Sequence, residues 1–289
     1  MSDPEILAIR EIIAKRVPSN NIAQRRRDID ARGLQCKLPA DARVEPVNAN
    51  GVKAEWSATA DADPAKVVLY LHGGGYVIGS LDSHRHLVVE VGRAARARTL
   101  AIDYRMAPEH LFPAAVDDAV AAYRALREQT PGKIVVAGDS AGGGLALAML
   151  ISLRDSGAPL PAAVALFSPW TDLAGTGDSL RTNDGRCAMF RGANISKGAR
   201  FYLGDADPRN PLASPLYADL AGLPPMLIHV GKDETLLDDS TRLADRARAA
   251  GVRIEMTIWP VVPHVWQLIP AMPEARRSLR EAARFLLEG

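Results

Sequence analysis

Gly138-Asp139-Ser140-Ala141-Gly142 is the stretch whose reading decides the fold. The apolar residues 134–137 run straight into it, and residues 143–154, rich in Leu and Ala, run straight out. A strand that reverses into a helix within so few residues strains the backbone at the apex, and glycines two places to either side leave room for neighbouring chain. The turn lifts the Ser140 hydroxyl above the strand ends, over a helix N-terminus whose dipole presents its positive end. Two plainer readings compete: a glycine-rich turn without chemistry, and a phosphate loop. No Gly-Lys-Ser or Gly-Lys-Thr follows, so a nucleoside triphosphate loop is poorly supported.

Outward from this turn, strands alternate with helices. Residues 44–47 and 52–57, separated by Asn48-Ala49-Asn50-Gly51, read as an antiparallel hairpin. Short apolar runs follow at 67–71, 100–103, 134–137, 163–167, 226–230 and 254–259, each suited to a strand buried on both faces. Helical patterns at 113–128, 142–154 and 236–250 lie between them, which implies an α/β fold with a mostly parallel sheet and helices on both faces. At the start, Ile6, Ile9, Ile13 and Val17 recur at helical spacing after Pro4, and Pro18 ends that segment. A second, polar helix is expected over 22–32. The expected division is cap helices in 1–38 and a catalytic core in 39–289. The core is interrupted at about 174–210 by an insertion that carries no convincing strand, and insertions of that length usually serve function.

The composition narrows the function classes. With 289 residues, 47% hydrophobic and 24% charged, the chain suits one large globular domain. A formal net charge of +1 builds no field for nucleic acid. The run Arg25-Arg26-Arg27 is followed by Asp28 and Asp30 and reads as a solvated helix face. The acidic start lacks the layout of a secretory signal, and no apolar run approaches the ~20 residues of a membrane span, so neither a membrane nor export is expected. Cys36 and Cys187, the two cysteines, make neither a metal cluster nor a disulfide framework; a cytoplasmic location is the expectation.

A second glycine-rich motif, His72-Gly73-Gly74-Gly75, follows the run 67–71. Acyl transfer develops negative charge on a carbonyl oxygen, and backbone N–H groups unobstructed by side chains can meet it. Three consecutive glycines exceed what a tight turn requires, and the N–H of Ala141 would complete such a site. Where an elbow of this kind carries the nucleophile, the acid and then the histidine follow in the chain. His229 lies inside an apolar run and suits a core position. His264 follows the run 254–259 through Pro260-Val261-Val262-Pro263, in a loop at a strand's carboxyl end, and is the favoured base. His84 and His86 could suggest a metal pair, but no cluster completes it, and His110 belongs to a turn. For the acid, Asp238 and Asp239 suit a helix start for dipole reasons alone, which leaves Asp233 and Glu234 as competitors.

At this point the sequence resembles the hormone-sensitive lipase family of bacterial carboxylesterases, in the branch with Gly-Asp-Ser-Ala-Gly at the elbow. The likeness covers nearly the whole chain. Beyond the two glycine motifs it includes Asp103-Tyr104-Arg105-Met106-Ala107-Pro108-Glu109-His110, Pro113-Ala114-Ala115-Val116-Asp117-Asp118 and Ser168-Pro169-Trp170. The resemblance implies an eight-stranded α/β-hydrolase core with a small helical cap, and ester hydrolysis without cofactor or metal. It assigns the oxyanion hole to Gly74, Gly75 and Ala141. The family's Asp-Pro-Leu-x-Asp stands here as Glu234-Thr235-Leu236-Leu237-Asp238, which makes the acid a glutamate. Its His-Gly-Phe stands as His264-Val265-Trp266, which places an indole near the site. The expected triad is Ser140, His264 and Glu234, with Trp170 and Trp266 narrowing the pocket. The expected partner is a small ester, with a homodimer compatible. Lactone and acetyl-ester hydrolysis are open alternatives on the same site. A non-catalytic receptor of the same fold is disfavoured because such receptors lose the histidine.

Overall fold

The computed structural model describes residues 2–288. The strands are β1 (Arg43–Ala49), β2 (Val52–Ala58), β3 (Asp63–Leu71), β4 (Ala97–Ile102), β5 (Lys133–Asp139), β6 (Val164–Phe167), β7 (Met226–Gly231) and β8 (Ile254–Trp259). They form one sheet in the order β1-β2-β4-β3-β5-β6-β7-β8. β1 and β2 pair antiparallel, as do β2 and β4, and every other neighbouring pair is parallel. The expected α/β-hydrolase architecture is therefore present.

The sheet is buried on both faces because its strands alternate between two apolar clusters. In β3, Val67, Leu69 and Leu71 face one cluster while Val68 and Tyr70 face the other. β5 repeats this with Ile134 and Val136 against Val135 and Ala137. The first cluster is closed by α4 (Ala114–Gln129), α5 (Ala141–Asp155) and α8 (Leu237–Ala249), the second by α3 (Leu81–Ala95) and α9 (Pro273–Glu288). α5 is buried nearly all round, as its unbroken Leu, Ala and Gly content requires of a central helix. Each wholly buried Leu or Ile there contributes roughly 1.5–3 kcal/mol relative to exposure.

The N-terminal segment forms α1 (Asp3–Ala14) and α2 (Ile22–Leu34), and the β6–β7 insertion holds α6 (Ser179–Thr182) and α7 (Gly192–Leu203). Three expectations need correction. Val17 is 93% exposed and outside α1, because the chain leaves the helix before Pro18, whose ring disfavours helical geometry at the preceding residue. β8 is an edge strand with Ile258 largely exposed, so its apolar run reflects β propensity more than two-sided burial. Asp103 lies just beyond β4, held by an ion pair with Lys53 at 2.9 Å.

Candidate active site

Five loops at the carboxyl ends of parallel strands converge, following β3, β5, β6, β7 and β8 in spatial order. Ser140 occupies the apex of the β5–α5 turn with φ 51° and ψ −121°, conformational strain that the surrounding contacts must hold. Its carbonyl accepts the N–H groups of Gly143, Gly144 and Trp170, and its own N–H donates to Phe167 O at 2.8 Å. A Cβ on Gly142 would fall 2.0 Å from Leu71 O, and one on Gly138 2.6 Å from Gly142 O, so both elbow glycines are fixed by close approach of backbone.

The elbow and the glycine loop are joined by Asp139. Its buried carboxylate accepts Tyr70 Oη at 2.8 Å and Gly73 N–H at 3.0 Å, with His84 Nε2 3.5 Å away. Burial opposes the charged form, yet the neighbouring His84 and the hydrogen bond from Tyr70 hold this carboxyl below its ordinary value. Gly74 has φ 119° and its Cβ would strike Ile78 O at 1.9 Å, so the loop tolerates only glycine there. Among the described residues, the N–H groups of Gly74, Gly75 and Ala141 donate to no protein acceptor. That leaves three donors near the N-terminus of α5, where an oxyanion is favoured.

Glu234 and His264 come together while Asp233 turns away. His264 Nδ1 lies 2.5 Å from Glu234 Oε2, with both side chains buried. Glu234 Oε1 accepts Ser168 Oγ at 2.7 Å and Gly231 N–H at 2.6 Å. Beside a carboxylate, Nδ1 carries the proton, and this leaves Nε2 as acceptor. Nε2 is buried and has no partner among the described residues. Asp233 instead pairs with Arg10 at 2.8 Å and Arg186 at 2.6 Å. The Phe190 ring meets the imidazole edge-on at 5.0 Å.

The two tryptophans differ in placement. Trp170 is 4% exposed, and its ring edge lies against Gly75 and Gly198. Trp266 is wholly buried in a cluster with Ile6, Trp259, Val262, Met272 and Ala275, and stacks towards His229. Its indole therefore supports the His264 loop from beneath and presents no open face, a correction to its expected place in the pocket wall. His229 is buried within β7, as its apolar surroundings imply.

Two features escape a reading of the sequence. Ser168 stands in the sequence only as part of Ser-Pro-Trp, yet it holds Glu234. Asp239 does more than face a helix dipole: its Oδ2 accepts the N–H groups of Thr171 and Asp172 at 2.7 and 2.8 Å, pinning the loop that carries Trp170. Burial pushes its carboxyl up to about 7. Among the described residues no cluster of His, Cys, Asp or Glu could hold a metal, and no helix is long and apolar enough to cross a membrane.

The chain has close relatives in sequence and fold. The family described as alpha/beta hydrolase fold matches residues 68–268. An acetyl-hydrolase of Streptomyces hygroscopicus is 45% identical, the match covering 99% of this chain and 97% of that protein. An esterase of Acinetobacter venetianus is 35% identical over 84% of this chain and 81% of its own. The crystal structure of an esterase from the bacterial hormone-sensitive lipase family superposes with a TM-score of 0.96 at 44% identity, covering 100% of this chain and 99% of the other. With that fold and these relatives, the chain belongs to the hormone-sensitive lipase family of α/β-hydrolases and is a carboxylic-ester hydrolase.

Proposed function

We propose that the chain hydrolyses short-chain carboxylic esters through a triad of Ser140, His264 and Glu234. The observation that carries this reading is the buried Glu234–His264 contact, which leaves Nε2 of the imidazole as the unsatisfied acceptor. In the first step His264 Nε2 takes the proton of Ser140 as Oγ bonds to the ester carbonyl carbon. The electron pair moved onto the carbonyl oxygen is met by the N–H groups of Gly74, Gly75 and Ala141. When the intermediate collapses, the bond to the alcohol oxygen breaks and His264 returns the proton to that oxygen. Water then repeats the sequence on the acyl-enzyme and releases the acid. Glu234 orients the imidazole and balances its transient charge.

The short-chain preference rests on the surroundings of the site. In this reading α1, α2 and the insertion with α6 and α7 form a small cap. The aromatic wall of Trp170, Tyr76 and Tyr202, the last two stacked at 3.8 Å, restricts depth. The acetyl-hydrolase relative favours acetyl esters among the substrates.

Steady-state kinetics of three variants test the assignment. Ser140→Ala is expected to lose on the order of 10⁴-fold or more in kcat. Glu234→Gln is expected to lose roughly 10²–10⁴-fold, and Asp233→Asn under about tenfold. Near-normal turnover by Ser140→Ala would overturn the mechanism, and a reversed order of the two acids would move the role to Asp233.

A further inference from the structure

Helix α7 buries Ile195, Ala199, Tyr202 and Leu203. Their spacing of three and four residues marks one face of the helix, and Gly198 falls on that face. An apolar side chain is the ordinary occupant of such a position, since glycine weakens a helix relative to alanine. Nothing local demands glycine at residue 198. Its φ is not positive, and among the described residues a Cβ there would meet one atom within 4 Å, Cη2 of Trp170 at 3.9 Å. Gly192 in the same helix is the contrast: its Cβ would strike Leu180 O at 2.1 Å, so packing requires it.

The ring edge that faces Gly198 also faces the glycine loop. Cζ3 of Trp170, bonded to Cη2, is the one atom within 4 Å of a Cβ on Gly75, again at 3.9 Å. The insertion helix and the candidate oxyanion loop thus approach neighbouring atoms of one indole edge, and the space that a Gly198 side chain would fill forms a notch over that edge.

Sheet order decides which half of an ester enters that notch. The leaving alcohol must lie within reach of His264, which protonates it, and therefore towards β7, β8 and the Phe190 ring. The acyl group points the other way, towards the loop after β3. Trp170 follows β6, and to reach Gly75 its ring passes the elbow between those strands.

We propose that Gly198 is the specificity-determining residue for the acyl group, its missing side chain leaving room over Trp170 for a few methylenes beyond acetyl. This rests on the triad reading above. The test compares wild type, Gly198→Ala and Gly198→Leu on p-nitrophenyl esters from acetate to octanoate, and on acetates of several alcohols. Each methylene that loses its buried place lowers kcat/KM by about fourfold. Gly198→Leu is therefore expected to depress butyrate and longer chains by roughly tenfold or more relative to acetate, and Gly198→Ala to act only on the longer ones. The dependence on alcohol should match wild type. Ratios taken within one preparation are independent of how much enzyme is folded. Unchanged acyl ratios in Gly198→Leu, or a change that follows the alcohol, overturn the proposal while wild-type turnover leaves the triad standing. Full activity in Ser140→Ala would remove the reading beneath it.

Discussion

At the scale of single residues, one hydroxyl joins the two loops that carry the proposed acid and base. Ser168 sits wholly buried at the end of β6 with φ 49°. Its Oγ donates to Glu234 Oε1 and receives the Val265 N–H at 3.4 Å, one residue past His264. Removing it leaves Gly231 N–H as the remaining donor to that oxygen, so the carboxylate would hold the imidazole less well. Ser168→Ala is expected to lower kcat about tenfold with KM little changed, and to cost roughly 1 kcal/mol of stability. Steady-state kinetics on p-nitrophenyl acetate checks this, and an effect confined to KM would place Ser168 in substrate binding instead. The sequence carried no signal for this role, because the partner lies 66 residues away and a serine before Pro169 has no periodicity to read. The preference for Glu234 over Asp233 as the proposed acid comes from family spacing, and the structure adds the contact of Glu234 with His264. Adjacent loop residues diverge, and what draws Asp233 outwards is Arg10 in a helix far away in the chain.

At the scale of elements, that arginine makes α1 part of the site's support. Arg10 Nη1 donates to Asp233 Oδ2 and to Val261 O at 3.0 Å, and Nη2 donates to Arg186 O at 2.6 Å. One side chain therefore ties the acid loop, the histidine loop and the insertion together. The Arg10 side chain is only 12% exposed, where hydrogen bonds to charged groups are worth about 1.5–3 kcal/mol. Arg10→Ala is expected to lower kcat severalfold and to expose the chain around Lys15 to trypsin. Unaltered cleavage would show that Ile6, packed against Trp259, Val262 and Trp266, holds α1 by itself. Pro4 and the isoleucine spacing made the start of α1 readable, whereas its end was not, since Val17 continues the apolar pattern past the last helical residue. α3 is hard to read from the sequence because Ser83-His84-Arg85-His86 interrupts its apolar face; those histidines are buried by tertiary contacts that composition does not encode.

At the scale of the whole molecule, the alternating βα pattern made the parallel sheet readable, and the buried strands lie where short apolar runs end in glycine or turn residues. What local pattern cannot supply is burial of polar groups, and that burial sets how the fold responds to acid. His229 is 1% exposed, with Nδ1 2.8 Å from Ser278 Oγ and Nε2 3.6 Å from Glu281 Oε2. Burial, reinforced by the charge of Arg277, pulls its pKa down to about 3. The folded chain thus keeps His229 neutral while the unfolded chain protonates it near pH ~6.5. Between those values the unfolded state binds the extra proton. The contribution of His229 to stability is full above the unfolded pKa and is lost as pH falls through this window. Asp239, raised by burial, acts with the opposite sign, so the total slope alone is uninformative. A difference between two proteins that share Asp239 removes it. Urea unfolding of wild type and His229→Gln from pH 4 to 6 is expected to give a wild-type stability that rises more steeply by about 1.4 kcal/mol per pH unit, the signature of one proton. Equal slopes would mean that His229 is charged in the fold, with Glu281 as its counter-ion.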